Sequence, residues 1–257
     1  MRPILPRRKT IVKISIEELT NIYSGAILPA MSHRPFKDRV YHEFARIGQA
    51  LASEKRLEIL DLLAQSPRHV DALAAETEQS VANASQHLQV LRGAHLVDSN
   101  RSGTRVVYRL ADPSVLRLWL TLRDVAKTQL ADVDAITREF LGDRAGAPVS
   151  RTGLEEKLVR EEVFLIDVRP SIEYESGHLP GAVRMPIEEL PERLDEIPRD
   201  RPVIAYCRGE FCLFADEAVA LLRRHGIEAE RLEGGWPEWL AEGREVVREA
   251  ATSGNRA

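Results

Sequence analysis

Cys207 and Cys212 are the two cysteines of the chain, five positions apart. So close a pair does not make a secreted disulfide scaffold, which spreads more cysteines along its length, and a four-thiolate zinc site is excluded by count. In a reducing compartment the pair stands for reactive chemistry or for chance. The run Val203-Ile204-Ala205-Tyr206 has the character of a buried strand and ends at Cys207. Arg208, Gly209, Glu210, Phe211 and Cys212 follow before a helical pattern from Leu213 to Arg224. A short loop between strand and helix turns successive backbone N–H groups inward, and the helix N-terminus adds partial positive charge. Cys207 is therefore expected to have a depressed pKa and to be nucleophilic, with Gly209 permitting the tight curl. Cys212 is open to two roles. It is either a second thiol that attacks sulfur carried on Cys207, closing a disulfide or trisulfide, or a small buried residue at the start of the helix.

A second set of residues has the types needed to read DNA. From Ser80 onward, Val81, Ala84, Leu88 and Leu91 fall on one helical face, while Asn83, Ser85, Gln86 and Gln89 are short polar residues outside it. Such residues enter a major groove about 12 Å wide, and amide side chains pair bidentately with adenine. Ser80, Ser85 and the helix N-terminus can hold phosphate. Arg101 and Arg105 lie at a turn around Asn100-Arg101-Ser102-Gly103, between strand-like runs at Leu96-Val97 and Val106–Leu110, and suit backbone or minor-groove contact. The plain alternative is that all of these are solvated polar residues. His87 reads as a packed or helix-capping residue rather than a base reader.

The elements that must position these residues follow from periodicity. Phe44, Ile47 and Leu51 recur at helical spacing; Ser53 is an N-cap for a helix carrying Leu57, Leu60 and Leu63; Val70, Leu73 and Ala74 make a short third helix. Asp112-Pro113 opens a helix expected to run to about Leu141, with the carboxylate as N-cap and Pro at the first helical position. Its stripe Val115, Trp119, Leu122, Ala126, Val133, Ile136 and Phe140 is too long and apolar to stay exposed. It packs either on its own domain or across a two-fold axis, and the dimer is preferred because a DNA reader of this kind needs that symmetry. Residues 142–150 read as a linker, and Thr152 with Glu155 has capping-box spacing for the helix that follows. Val163–Val168 and Val203–Tyr206 are buried-strand runs, each followed by a helical pattern, which implies an α/β domain with a parallel sheet.

Two resemblances attach to these residues. Ser80 with Ser85-Gln86-His87-Leu88-Gln89-Val90-Leu91, followed by the hairpin, resembles the recognition helix and wing of the ArsR-type winged helix-turn-helix regulators over roughly residues 36–125. Many ArsR-type proteins sense metals or thiol reagents through cysteines before the recognition helix or His/Asp clusters on the dimer helix. Here Arg68-His69-Val70-Asp71 has no Cys and residues 112–141 have no His, so no metal or other cofactor is expected in this domain. Asp167-Val168-Arg169, then Glu173 to Ala182, the Cys207 loop, and Leu232 to Trp239 resemble the marks of a rhodanese-like domain over about residues 151–245, in order. The resemblance implies that Cys207 carries a persulfide cradled by the amides of residues 208–212. It also implies that Asp167 and Arg169 support the loop and strand ends, and that His178, Gly181 and Trp236 are structural. A phosphatase relative of that fold closes a longer loop with Arg; Leu213 stands at that position, which removes the bidentate phosphate clamp. Glu210 would repel a dianion, so thiosulfate turnover is expected to be weak and a persulfide or polysulfide donor, with a thiol acceptor, is favoured.

The expected architecture is thus multidomain. It comprises an extension at 1–33, a mainly-α winged helix-turn-helix domain at 34–141, the linker, an α/β rhodanese-like domain at 151–245 and a tail at 246–257. Met31 is an alternative start. Residues 1–112 carry 16 Lys and Arg against 12 Asp and Glu, and the remainder 20 against 28, so only the first half is expected to meet a polyanion. No run of about 18 apolar residues spans a membrane and no signal peptide is present, which points to the cytoplasm. Together these readings imply a homodimeric repressor of double-stranded DNA that senses or transfers reactive sulfur. The alternatives are a sulfurtransferase whose helical domain only localises or dimerises it, and a rhodanese domain that is an idle protein-binding module.

Overall fold

The computed structural model describes residues 33–103, 105–141 and 147–248. The expected extension up to residue 32, Met31, most of the linker and the end of the tail lie outside these. Compactness divides the chain after Arg46, and the described residues from Ile47 onward form one compact unit. The first helix, α1 (Arg34–Leu51), crosses that division and leaves Phe36, Tyr41 and Phe44 exposed.

Helix α2 (Glu54–Gln65) follows Ser53, which stands at the N-cap position without a side-chain bond. Strand β1 (Arg68–His69) and α3 (Val70–Glu76) lead to α4 (Val81–Gly93), then to the hairpin β2 (Val97–Ser102) and β3 (Arg105–Leu110). Both β1 and β2 pair antiparallel with β3. Two residues carry no periodicity, so β1 was not legible in the sequence. The expected turn is also tighter: Asn100 and Arg101 sit inside β2, and Gly103 takes the positive φ of 63° at the tip. Ile59, Leu60, Leu73, Leu88, Leu91 and Val97 form the core of this region. Each such side chain contributes about 1.5–3 kcal/mol on burial. Val81, expected to face inward, is 45% exposed; it starts its helix beyond the reach of that core.

Asp112 caps the next helix as expected, accepting a bond from the Ser114 N–H at 2.7 Å. The single long helix is instead two, α5 (Pro113–Gln129) and α6 (Ala131–Leu141), broken where Leu130 adopts extended backbone. The break also divides the apolar stripe. Val115 and Leu116 are buried, Trp119, Leu122 and Ala126 are half-buried, and Leu118, Val125, Leu130, Ile136 and Phe140 are exposed.

Helix α7 (Arg151–Val159) is capped by Ser150, whose hydroxyl accepts from the Gly153 N–H, rather than by Thr152. Beyond it lies a four-stranded sheet in the order β5-β4-β6-β7, from β4 (Phe164–Asp167), β5 (Val183–Arg184), β6 (Val203–Tyr206) and β7 (Ala229–Arg231). Every pairing is parallel. Helices α8 (Ser171–Ser176), α9 (Phe214–Arg224) and α10 (Trp236–Ala241) connect or follow the strands. Successive residues of the central strands enter opposite layers. Ile166 and Ala205 join Met185, Ala218 and Leu222, whereas Leu165 and Ile204 join Leu154, Trp236 and Trp239. Helix α10 packs against both α5 and α2, so the α/β sheet region and the winged helix meet directly.

Candidate functional site

Strand β6 delivers Cys207 to a loop that ends at Leu213, where α9 begins. Close approach of a second turn shapes that loop. A Cβ on Gly235 would stand 2.2 Å from the Cys207 carbonyl oxygen and 2.5 Å from the Gly209 nitrogen, and the Trp236 N–H donates to the same carbonyl at 3.2 Å. Only glycine fits at 235, a requirement hidden in the Gly-Gly-Trp motif. Gly209 itself has φ 138°, as the expected curl needs.

The thiols differ from expectation. Cys207 is 2% exposed, and burial pushes its pKa well above the ordinary thiol value, although the N–H groups of Gly209 and Ala215 act against this. Cys212 is half-buried, and its pKa is lowered, chiefly by the hydrogen bond from the Cys207 side chain and then by the N–H groups of Arg208 and Phe214. Of the amides at 208–212, that of Gly209 faces Cys207, while the Arg208 N–H faces Cys212 and the Cys212 N–H donates to the Gly209 carbonyl at 3.1 Å; the sequence also lacked the desolvation of Cys207.

Cys207 loses water because it packs into the sheet core with Val168, Ala205 and Ala215, and the winged helix lies over the outer side of the same loop. Gln65, at the end of α2, donates from Nε2 to the Arg208 carbonyl at 3.0 Å. The Arg208 guanidinium bonds Glu173 at 2.8 Å through Nε and Glu76, the last residue of α3, at 3.0 Å through Nη2. Arg68 of β1 pairs with the same two carboxylates. Glu173 is fully buried, and its burial raises its pKa in spite of the arginines around it. From α5, Arg123 pairs with Glu238 and stands 5.6 Å over the Phe211 ring, and Lys127 pairs with Glu210. Glu210 therefore ties the loop to α5 instead of standing as an isolated negative charge. Between these contacts lies a cavity of about 460 Å³, whose wall includes Asp61, Trp119, Arg123, Phe211, Cys212 and Phe214. Of the residues around the loop, Glu173 and Glu238 lay in motifs; Gln65, Glu76, Arg123 and Lys127 come from helix positions, and Arg68 from a two-residue strand, with no sequence signal for the contact.

Asp167 and Arg169 are fully buried and bond to each other, with Arg169 Nη2 2.6 Å from Asp167 Oδ2 and 2.8 Å from the Gly177 carbonyl. The Tyr206 hydroxyl donates to Asp167, and the Arg169 guanidinium lies 4.9 Å over the Trp236 ring. The Asp167–Arg169 pair reaches the loop at one remove, through Tyr206 before Cys207 and Trp236 beside it.

On the DNA-reading element, the Ser80 hydroxyl accepts from the Asn83 N–H at 3.2 Å, capping α4. Asn83, Gln86 and Gln89 are exposed and Ser85 is half-buried. Ala84, Leu88 and Leu91 are fully buried beneath them. Arg101 and Arg105 are exposed across the hairpin from each other's strand. His87 is half-buried, and burial lowers its pKa, as a packed residue requires. Among the described residues no group of His, Cys, Asp or Glu could hold a metal ion, and no helix is long and apolar enough to cross a membrane.

Residues 53–99 match the bacterial regulatory protein, arsR family, and residues 150–242 match the Rhodanese-like domain. The HTH-type transcriptional regulator Rv0324 of Mycobacterium tuberculosis is 44% identical over 207 residues, covering 80% of this chain and 91% of that protein. A sulfurtransferase of Allochromatium vinosum is 35% identical over 88 residues, covering 34% of this chain and 80% of its own length. Among solved structures, the homodimeric winged helix-turn-helix DNA-binding domain of Mb0332 from Mycobacterium bovis is 43% identical, covering 37% of this chain and 89% of that one, with a TM-score of 0.36.

Proposed function

The chain belongs to the arsR-type transcriptional regulators that carry a C-terminal rhodanese-like domain, and we propose that it is a cytoplasmic, dimeric repressor whose DNA affinity responds to reactive sulfur bound at the Cys207 loop. One observation carries this reading. Arg208, the residue after Cys207, is hydrogen-bonded through its side chain to Glu76 of α3 and through its carbonyl to Gln65 of α2. A persulfide on Cys207 adds a sulfur atom and, when ionised, a charge to a closed loop. The loop must then shift against the helices that hold the recognition helix. Such a ligand biases DNA binding only through its different affinity for the two arrangements. Both cysteines lie in this loop and none in the DNA reader.

Recognition uses Asn83, Ser85, Gln86 and Gln89 in the major groove, with Ser80, Arg101 and Arg105 on the backbone or minor groove. The exposed Leu118, Val125, Ile136 and Phe140 form the apolar surface through which residues 112–141 pair with a second copy. A sulfurtransferase in which the helical domain only localises or dimerises the enzyme needs an open loop, and the burial of Cys207 favours the regulator. Fluorescence anisotropy on the protein's own upstream DNA, at fixed salt, tests the reading. Persulfide on Cys207 changes affinity about tenfold or more, roughly 1.4 kcal/mol, and Cys207→Ser loses the change. A persulfide with unchanged affinity leaves a DNA-tethered sulfurtransferase instead.

A further inference from the structure

We infer that Cys212 is the thiol at which an uncharged organic hydropersulfide, R–S–SH, first reacts, in the cavity between the winged helix and the loop, and that Cys207 receives its sulfur from Cys212. The inference rests on the reading that the loop handles reactive sulfur. Cys212 lines that cavity of about 460 Å³, and Cys207 does not. The difference in burial agrees, since Cys207 is 2% exposed while Cys212 is half-buried. The Cys207 thiol is turned to the Gly209 and Cys212 carbonyls, 3.8 Å from each, and its bond to the Cys212 side chain lowers the Cys212 pKa, toward the thiolate. The thiolate is the nucleophile, and it is the one with access.

The walls select the donor. Trp119, Phe211 and Phe214 offer apolar surface to the R group. Both arginines there are already paired, Arg123 with Glu238 and Arg208 with Glu173 and Glu76. Burial also drives the Asp61 carboxyl toward its neutral form. A dianion such as thiosulfate meets guanidinium charges already matched by carboxylates, with the Arg123 Nε–H the one buried donor of those two side chains without a partner, whereas a neutral donor loses little on leaving water.

The chemistry balances without an added oxidant. The Cys212 thiolate attacks the outer sulfur of R–S–SH; a bond forms between Cys212 Sγ and that sulfur, the donor's S–S bond breaks, and RS⁻ leaves to take a proton from solvent. Cys207 then attacks the same outer sulfur. Its proton passes to the departing Cys212 sulfur, so that Cys207 ends as the persulfide and Cys212 as the thiol.

The test uses the full chain and benzyl hydropersulfide generated in situ without air, quenched with iodoacetamide. Trypsin cuts after Arg208 and separates the two cysteines for mass mapping. Sulfur is expected on Cys212 in Cys207→Ser, and on Cys207 in the wild type. In Cys212→Ser and Cys212→Ala the loading of Cys207 is expected to slow by about tenfold or more. A second readout needs no variant: iodoacetamide on the untreated protein is expected to mark Cys212 before Cys207. Loading of Cys207 at the wild-type rate in both Cys212 variants, or alkylation of Cys207 first, overturns the inference and leaves the sulfur-responsive regulator standing. Thiosulfate loading the protein as fast as the hydropersulfide overturns the donor class. No sulfur on either cysteine of the wild type overturns the inference and the proposed function together.

Discussion

Arg208, one residue past Cys207, holds Glu76, the last residue of the helix before the recognition helix, through a 3.0 Å bond from Nη2 to Oε2. The cysteine loop and the helix that precedes the proposed recognition helix thus share an ion pair. Glu76 is partly exposed and pairs with Arg68 as well, so removing its carboxylate leaves both arginines on Glu173. Glu76→Ala is therefore expected to keep sulfur uptake and basal DNA binding while reducing the sulfur-dependent affinity change from about tenfold to less than about twofold. Anisotropy titrations of sulfur-loaded and reduced protein check this; an undiminished response rules the pair out as the coupling route.

The Arg68 position carries the structural side of the same network. Its side chain is 3% exposed and pairs with Glu173, which is 0% exposed. Deleting one partner of a buried pair leaves the other charge uncompensated, at a cost of about 3–5 kcal/mol. Arg68→Ala is expected to lose stability on that scale in urea unfolding, toward its lower end because Arg208 still reaches Glu173. A loss under about 1 kcal/mol, the range of surface pairs, would show that the network is solvated in solution.

Within the DNA reader, capping and recognition separate experimentally. Ser80→Ala removes the bond to the Asn83 N–H and is expected to cost about 1 kcal/mol of stability. Gln86→Ala and Gln89→Ala alter exposed side chains, so they are expected to leave stability within about 0.5 kcal/mol. Each is expected to weaken operator binding by about 1–3 kcal/mol if it reads a base edge. Loss of affinity to the same extent on every DNA sequence would assign them to the phosphates instead.

What the sequence shows and what it hides follow a physical division. The caps at Ser80 and Asp112, the parallel sheet, the winged hairpin and the cysteine loop were legible because each is local: a hydroxyl or carboxylate before a periodic run, an apolar run of strand length, a glycine at a curl. The helix break at Leu130 was not, because leucine is a good helix former; Leu130 takes extended backbone while exposed, and nothing in the structure explains the break. The pKa of Cys207 was misjudged for a different reason. The N–H groups of Gly209 and Ala215 favour a thiolate, but Cys207 is sunk in the sheet core with Val168 and Ala205, which no local loop pattern shows, and the loop is tied besides to Gln65 and Lys127 on distant helices.

Asp61 gives a pH test of that covering contact. Trp119 donates from Nε1 to its Oδ1 at 2.9 Å, yet burial raises the Asp61 pKa, outweighing the Trp119 bond and the nearby Arg123 and Arg208; Glu238 adds to the rise. Below the unfolded carboxylate value of about 3.9, Asp61 is protonated in both states and costs nothing. As pH climbs from there through the folded pKa, the native state keeps a proton that the unfolded state has lost, and stability falls. Asp61→Asn keeps an oxygen acceptor for Trp119 and cannot ionise. Its stability advantage over the wild type is expected to be smallest near pH 4, to grow as pH rises through that window, and then to level off. Denaturant unfolding at several pH values measures this. A difference that stays constant or shrinks with rising pH would mean that Asp61 is hydrated in solution and that the winged helix does not close over the loop.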